Sequence, residues 1–369
     1  MNDTQKIMYS WLVLRGAVRV CAIALTAAAA ACLSRADAPV AATTADDLIG
    51  GFPAASAQLD AVGAIGHADG SAGFSPFCSG TLVSPTMVLT AKHCLTSHDA
   101  SQLVFLTGPD AYAPTRVVGA LGAAVESTAA GGVIGFGSDI GVLHLATPVT
   151  DIPLLPVAAL TDDRIGTRMT ALGYGVQDAS LTRGTRRSGS MTLEATAGSV
   201  YAAIFGTFDD FLARGAARLF PDVDASTAAG RAQLQGVFDA TRLQDGAEAW
   251  FGSAAGDAQA CTGDGGGPIV ARVGTQATVF GVSSWGFGAE DACTLDGSAF
   301  ASINAATLDF IDFQSHCPLV PQGGGCEGTV AVRCASANEG GRRPLRTDCA
   351  DLGEVCAVVD GAPACVDGP

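Results

Sequence analysis

Short apolar runs, each broken by glycine, proline, aspartate or serine, recur from residue 48 to about residue 200 and again between residues 268 and 303. Runs of this length between turn residues predict β-strands. The clearest candidates span residues 80–90, 103–106, 117–121, 140–145, 169–174, 268–273, 278–283 and 299–303. Together with 47 glycines and few aromatic residues, this pattern predicts an all-β protein rich in turns.

A helical periodicity interrupts the strands between residues 201 and 243. Apolar residues there fall on two helical faces, one formed by Ile204, Phe208, Phe211, Leu212 and Leu219 and the other by Leu234, Val237 and Phe238. Asp224 and Ser226 are the candidate N-caps of the second helix. We therefore expect a helical insertion over about residues 201–243, and a further helix near residues 305–313.

The end of the chain has the composition of a small module held by disulfides. Residues 318–325 predict a linker, and the segment beyond them is dominated by cysteine and turn residues. This segment has too little apolar bulk for a core of its own, so it needs covalent cross-links. We expect a cysteine-rich module over residues 315–369, serving either as a spacer or in adhesion and surface attachment.

The N-terminus has the composition of an export signal. Lys6, Arg15 and Arg19 precede an uncharged apolar run over residues 20–31. That run is too short to span a bilayer, so the pattern predicts a cleaved signal and no transmembrane anchor.

Two cleavage positions are open. Ala36 and Ala38 suit ordinary signal peptidase, which gives a signal peptide over residues 1–38 and a short propeptide over residues 39–47. Cys32, which follows three alanines, weakly resembles the lipidated residue of a lipoprotein. Either position predicts a secreted or cell-envelope protein.

Composition excludes several classes of protein. With 20 basic and 36 acidic residues the net charge is −16, which argues against a nucleic-acid binder. A hydrophobic content of 48% argues against wholesale disorder. Of the 12 cysteines, Cys21 and Cys32 fall in or next to the signal, and the even number left predicts disulfides in an exported chain. No Cys-x-x-Cys spacing occurs, which lowers the zinc alternative. No metal cluster is evident in the sequence, and we expect no cofactor.

Three separated segments carry one kind of chemistry. His93 stands beside Cys94, Asp139 opens an apolar run, and residues 261–268 form a glycine-rich turn. An imidazole can take a proton from a nucleophile near neutral pH, and a buried aspartate can fix its tautomer. On these motifs the chain resembles the chymotrypsin/trypsin family of serine peptidases (peptidase S1) over roughly residues 48–314. Further family motifs are matched at residues 78–82, 172–175 and 283–286.

The resemblance implies a fold of two antiparallel six-stranded β-barrels and a set of roles. It assigns the general base to His93, the orienting carboxylate to Asp139 and a supporting hydroxyl to Ser284. It also assigns the oxyanion hole to the backbone N–H groups of Gly263 and Gly265, which need no side chain for that purpose.

The nucleophile position departs from the family pattern. The family turn reads Gly-Asp-Ser-Gly-Gly-Pro, whereas residues 263–268 read Gly-Asp-Gly-Gly-Gly-Pro. The reactive serine therefore falls on Gly265, and the nearest hydroxyl, that of Thr262, precedes the turn. Covalent acyl transfer has no evident nucleophile here.

The resemblance also places the substrate-binding residues, which are Gln259, Ser284, Trp285, Gly286 and Gly297. Gln259 falls at the base of the specificity pocket, where an aspartate would favour basic side chains. The glutamine predicts a preference for an uncharged polar or medium-sized apolar side chain. A register error of two residues would put Asp257 in that place instead.

In this family a freed N-terminal amine pairs with the aspartate that precedes the serine, here Asp264. Residues 48–51 match the activation sequence, so cleavage would follow Asp47. Whether Leu48 or Ile49 becomes the new terminus is open, and no basic residue precedes the bond.

The resemblance implies the disulfides Cys78–Cys94 and Cys261–Cys293. Six cysteines remain between Cys317 and the C-terminus, and they allow fifteen pairings.

Three functions are therefore weighed. The first is an exported pseudoprotease that retains His93 and Asp139 and binds peptides or proteins without cleaving them. The second is an active secreted serine endopeptidase. The third is a structural surface protein that uses the fold as a spacer.

Overall fold

Six short antiparallel strands close into a barrel in the first half of the chain. The structure is a computed structural model that describes residues 52–53, 57–69, 73–126, 137–177, 180–286, 296–321, 323–336 and 342–368. After the two-residue strand β1 (Phe52–Pro53) come the barrel strands β2 (Val62–Asp69), β3 (Gly73–Ser84), β4 (Met87–Thr90), β5 (Leu103–Thr107), β6 (Arg116–Val125) and β7 (Gly141–Leu145). Their order around the barrel is β2-β3-β4-β7-β6-β5. Every residue of β4, β5 and β7 is buried, so these strands lie entirely within the core.

One strand prediction needs correction. Residues 80–90 form the end of β3 and the whole of β4, with a turn at Pro85 and Thr86 between them. Proline has no N–H to donate to a strand ladder, so the chain reverses there instead of continuing.

A second closed barrel follows. Its strands are β8 (Arg168–Gly173), β9 (Arg187–Ala195), β10 (Glu248–Phe251), β11 (Pro268–Val273), β12 (Gln276–Gly286) and β13 (Ser298–Ser302). They are ordered β8-β9-β10-β13-β12-β11, the pairing of β11 with β8 closes the ring, and β1 is added on β9. Phe251, Phe280 and Phe300 fill its core. The all-β fold with two six-stranded barrels is thereby confirmed.

Helices are few among the described residues. They are α1 (Lys92–Thr96), α2 (Val200–Phe205), α3 (Phe208–Phe211), a π-helical turn (Leu212–Ala216), α4 (Ala217–Leu219), α5 (Ala228–Ala240) and α6 (Ala305–His316), with 3₁₀ turns at Ala57–Ala61, Ala100–Gln102, Asp162–Arg164 and Cys349–Leu352. None of them is long and apolar enough to cross a membrane.

Helices α2 to α5 occupy the region predicted as a helical insertion. Tyr201, Phe205, Phe211, Leu234 and Phe238 form an aromatic-rich cluster of their own inside it. The insertion therefore has a small core that is separate from the barrel cores.

The predicted cap of α5 was wrong by one to three residues. Thr227 is the N-cap, and its Oγ1 accepts the N–H of Gly230 at 3.0 Å. Asp224 instead accepts the N–H and the hydroxyl of Ser226 in the turn before the helix. Because Asp224 and Ser226 bond to each other in that turn, Thr227 is the residue that caps α5.

The C-terminal segment folds as two small sheets. Strands β14 (Gly325–Glu327), β15 (Val330–Ser336) and β16 (Arg342–Asp348) form one sheet, and β17 (Val355–Val359) pairs with β18 (Ala362–Val366). Cys326–Cys356 joins β14 to β17, Cys349–Cys365 joins the turn after β16 to β18, and Cys317–Cys334 joins the end of α6 to β15.

The start of the predicted linker is docked on the first barrel. Leu319 lies against Gly122 of β6, and Val320 is buried. The Gln314 side chain accepts the N–H of Leu319 at 3.1 Å, donates to the carbonyl of Val320 at 3.1 Å, and contacts His144 Nε2 of β7 at 3.0 Å. Composition alone predicted a free linker because it could not show this amide network.

We expect the module to depend on its cross-links more than on packing. Replacing Cys349 and Cys365 together by serine opens a loop of 16 residues, which should cost about 3 kcal/mol. Limited proteolysis should then cut within residues 325–368 while the thermal transition of the barrels is retained. Leu352→Ser, which changes an exposed side chain of the same module, is the control. Equal protection of the double variant and the control would contradict this expectation.

Candidate active site

Strand pairing in the first barrel brings the predicted base and its carboxylate together. His93 lies on α1, directly after β4, and Asp139 lies just before β7. Strands β4 and β7 are paired, so the two segments leave the barrel at the same point. Asp139 Oδ1 accepts the backbone N–H of His93 at 2.9 Å, and Oδ2 lies 2.6 Å from Nδ1. This arrangement holds the proton on Nδ1 and leaves Nε2 as the basic nitrogen.

The carboxylate is buried and kept ionised by its partners. Asp139 is 1% exposed, and the hydroxyl of Ser284 from β12 donates to its Oδ2 at 2.7 Å. Burial raises the pKa of Asp139, but the hydrogen bond and charge of His93 and the bond from Ser284 outweigh it. The net pKa is below the ordinary value, so the group is a carboxylate at neutral pH.

Backbone hydrogen bonds within the glycine-rich turn and to β12 hold the turn in place. Asp264 N–H donates to the carbonyl of Cys261 at 2.9 Å, and Gly266 N–H donates to the carbonyl of Ser283 at 2.7 Å. Within the described part of the chain, the N–H groups of Gly263 and Gly265 donate to no other group. Two adjacent backbone donors are therefore available at this turn.

Glycine is required at Gly263 by its conformation, but not at Gly265. Gly263 has φ +98°, and a Cβ there would lie 2.9 Å from the Cα of Gly175. Gly265 does not have a positive φ, so its backbone can carry a side chain. A Cβ at Gly265 would, however, lie only 2.7 Å from His93 Nε2. The imidazole therefore lies closer to the backbone than a side chain at position 265 allows.

These groups face one open cavity of about 460 Å³. Six residues predicted to act in catalysis or substrate binding line it, namely His93, Gly263, Gly265, Ser284, Trp285 and Gly286, and so do the predicted disulfide cysteines Cys78, Cys94 and Cys261. Sequence reasoning missed five others, Phe77, Ser97, His98, Ala260 and Ser298. Phe77 directly precedes the family motif at residues 78–82, and this was the sequence signal that could have placed it at the cavity.

The predicted base of the pocket does not line the cavity. Gln259 Nε2 donates to the carbonyl of Gly252 at 2.6 Å, and Oε1 accepts the N–H of Gly297 at 2.7 Å. Both ends of the amide are thus bonded to backbone. The alternative residue, Asp257, accepts the N–H of Thr192 at 2.8 Å and pairs with Arg168 at 3.2 Å, so it serves the β8–β9 side of the barrel.

Asp264 is buried beneath the turn. Its carboxylate accepts the N–H groups of Gly175 at 2.8 Å and Cys261 at 2.9 Å. Burial raises its pKa to about 7 in spite of these two bonds. No cationic side chain among the described residues pairs with it. Leu48, its predicted partner, lies outside the described residues.

The disulfide Cys78–Cys94 joins β3 to α1 beside the imidazole, with Cys94 Sγ 3.5 Å from His93 Nε2. These three side chains could otherwise resemble a metal site, but both sulfurs are in the disulfide and neither is a thiolate. Cys261 is also in a disulfide. Its predicted partner, Cys293, lies outside the described residues.

The insertion packs behind the cavity wall. Val200 of α2 contacts Trp250 of β10, whose ring lies 5.5 Å from that of Trp285. The indole N–H of Trp285 donates to the buried Glu248 at 3.0 Å. Among the described residues that line the cavity, none comes from α2 to α5.

A comparison with known families supports the same assignment. The family model Trypsin matches residues 48–202, a stretch that contains His93 and Asp139 together with the first barrel and two strands of the second. The match and the two closed six-stranded barrels point to one family. That family is the chymotrypsin/trypsin-like (S1) family of serine peptidases, which the match over residues 48–202 and the two barrels support.

Proposed function

We propose that this protein is an exported homologue of trypsin-like endopeptidases that binds peptide or protein segments in its cleft without cleaving them. The observation that carries the proposal is the close approach of His93 to position 265, where an added Cβ would lie only 2.7 Å from His93 Nε2. A base and two backbone donors surround the place where the family has a serine, and this chain offers no side chain there.

The remaining groups suit recognition of a peptide carbonyl. We infer that the N–H groups of Gly263 and Gly265, which lie at the cavity and donate to no other described group, would donate to a peptide carbonyl oxygen. Asp139, itself bonded to Ser284, would hold His93 in one tautomer. Without a nucleophile no acyl-enzyme can form. In a well-studied serine peptidase, loss of the serine lowers turnover by about 10⁶-fold, or roughly 8 kcal/mol, and leaves about 10³-fold over water. Binding would therefore be reversible.

The bound side chain should be uncharged. The amide of Gln259 is uncharged, and both of its ends are bonded to the backbone of Gly252 and Gly297, so it offers no partner for a charged side chain. Trp285 and Gly286 supply an apolar face and an open wall. We infer a preference for uncharged polar or medium-sized apolar side chains.

Export is the third part of the proposal. Residues 1–38 would be removed as a signal peptide, or Cys32 would carry a lipid. The disulfides of both the barrels and the module favour an oxidising compartment. The C-terminal module would then act as a spacer or as a unit of surface attachment.

We expect Gly265→Ser to convert a binding cleft into a cleaving one. The native chain, trimmed to Leu48, should not hydrolyse a mixed peptide library, and the serine variant should, with a gain of up to about 10⁶-fold. The gain should fall short of that limit because the new Cβ forces His93 to move. Gly265→Ala, which adds the Cβ without the hydroxyl, is the matched control and should stay inactive. A serine-directed phosphonate should label Gly265→Ser covalently and should label neither the native chain nor Gly265→Ala.

Two other results would each overturn the proposal. Cleavage by the native chain at a rate comparable to the serine variant would make this an active endopeptidase, and Thr262→Val would then test the nearest hydroxyl. No cleavage by any variant, together with no peptide binding by the native chain, would favour the purely structural function.

An activation pair is a separable part of the proposal. Cleavage after Asp47 would free the amine of Leu48, and a buried carboxylate such as Asp264 would gain a cation. An opposite charge favours the ionised form, so the pKa of Asp264 should fall on trimming.

We expect this change to appear in the pH dependence of stability. In the full chain the folded state keeps the Asp264 proton up to about pH 7, whereas the unfolded chain releases it near pH 4. The stabilising contribution is therefore complete below about pH 4 and is lost as the pH rises through 7, by roughly 4 kcal/mol.

Urea unfolding of the full chain and of Asp264→Asn between pH 4 and pH 8 measures this contribution as a difference. After trimming to Leu48, the free energy of unfolding of the native sequence should depend less on pH and approach the pH dependence of Asp264→Asn. Parallel curves for the native full chain and Asp264→Asn would contradict the assignment.

A further inference from the structure

Two histidines from different elements meet at the rim of the cleft. His67 lies on β2, and His98 lies in the loop after α1. His67 Nε2 is 2.9 Å from His98 Nδ1, and the ring centroids are 4.6 Å apart. Phe77 stacks on His67 at 5.0 Å and contacts His98 at 4.3 Å. The two rings are therefore held in place by a third, aromatic one.

We propose that His67 and His98 form a binding site for a divalent transition-metal ion of tetragonal geometry, Cu²⁺ or Ni²⁺. Imidazole is a preferred ligand of both ions. With metal–nitrogen bonds of about 2.0–2.1 Å, two nitrogens 2.9 Å apart subtend an angle of roughly 90° at the metal. That angle is the one between neighbouring positions of a square-planar or tetragonal ion. A tetrahedral ion such as Zn²⁺ would need a separation of about 3.3–3.4 Å.

Metal binding moves one proton and turns both rings so that their lone pairs point to the same ion. In the neutral pair one ring donates its N–H to the lone pair of the other. Binding moves that proton to the second nitrogen of the same ring, so both facing nitrogens present lone pairs and no proton is lost.

The proposed site is distinct from the candidate active site. Among the described residues, the one group of three potential ligands is Cys78, His93 and Cys94, and a disulfide occupies its two sulfurs. The histidine pair supplies two protein ligands, with water in the remaining positions. Phe77 and His98 also line the cleft, so the metal would sit in its wall without touching Asp139.

Calorimetric titration of the full chain with Cu²⁺, buffered by excess glycine, tests the proposal. The native chain should bind one Cu²⁺ ion. Its affinity for that ion should fall at least about 10-fold in His67→Ala and in His98→Ala. His316→Ala, which removes a half-exposed histidine at the end of α6, is the matched control and should bind as the native chain does. Zn²⁺ should bind more weakly than Cu²⁺ to the same site.

Electron paramagnetic resonance of the Cu²⁺ complex gives a second readout that does not depend on affinity. The native chain should show coupling to two imidazole nitrogens, and each single variant should show one, with thermal unfolding confirming that the variants are folded. Equal affinity and two-nitrogen coupling in His67→Ala or His98→Ala would overturn the proposal. A loss of binding in His316→Ala alone would also overturn it.

Discussion

A single buried carboxylate ties the two barrels together at the cleft. Asp139 comes from the first barrel, and one of its hydrogen bonds comes from Ser284 of the second. An ionised carboxylate without partners is costly to bury, so both barrels must meet in one register to supply its donors. Further bonds cross the same boundary, because Ser79 donates its N–H to the carbonyl of Gly265 and its hydroxyl to that of Gly263. The geometry of the cleft is thus a consequence of where the barrels join.

The sequence predicted those features that are encoded locally. Strand runs, the glycine-rich turn and the segments around His93 and Asp139 each have a recognisable short pattern, and together they identified the family and its fold. The cap at Thr227 was missed because it depends on a choice between neighbouring residues of similar propensity. The break at Pro85 had a local signal, the proline itself, but the apolar residues on both sides of it were assigned to one strand. The roles assigned to the site residues stay predictions, as does the pairing of Leu48 with Asp264.

Other features could not be predicted because they arise only when distant segments converge. Gln259 was expected in the pocket, yet the backbone of Gly252 and Gly297 takes up its amide. His67 and His98 are 31 residues apart, and no spacing rule connects them. The helical periodicity of residues 201–243 predicted helices there, as the structure has them. It did not predict that they are several short helices packed around an aromatic cluster that includes Phe211.

The docked segment after α6 also has a mechanical consequence. Gln314 joins Leu319 and Val320 to His144, which lies on β7 only five residues beyond Asp139. The disulfide Cys317–Cys334 fixes the adjoining end of the module covalently. The cross-linked module would therefore resist extension when a pulling force is applied at the C-terminus. The force would be transmitted to the strand that positions the buried carboxylate, so tension on a tethered molecule would be felt at the cleft.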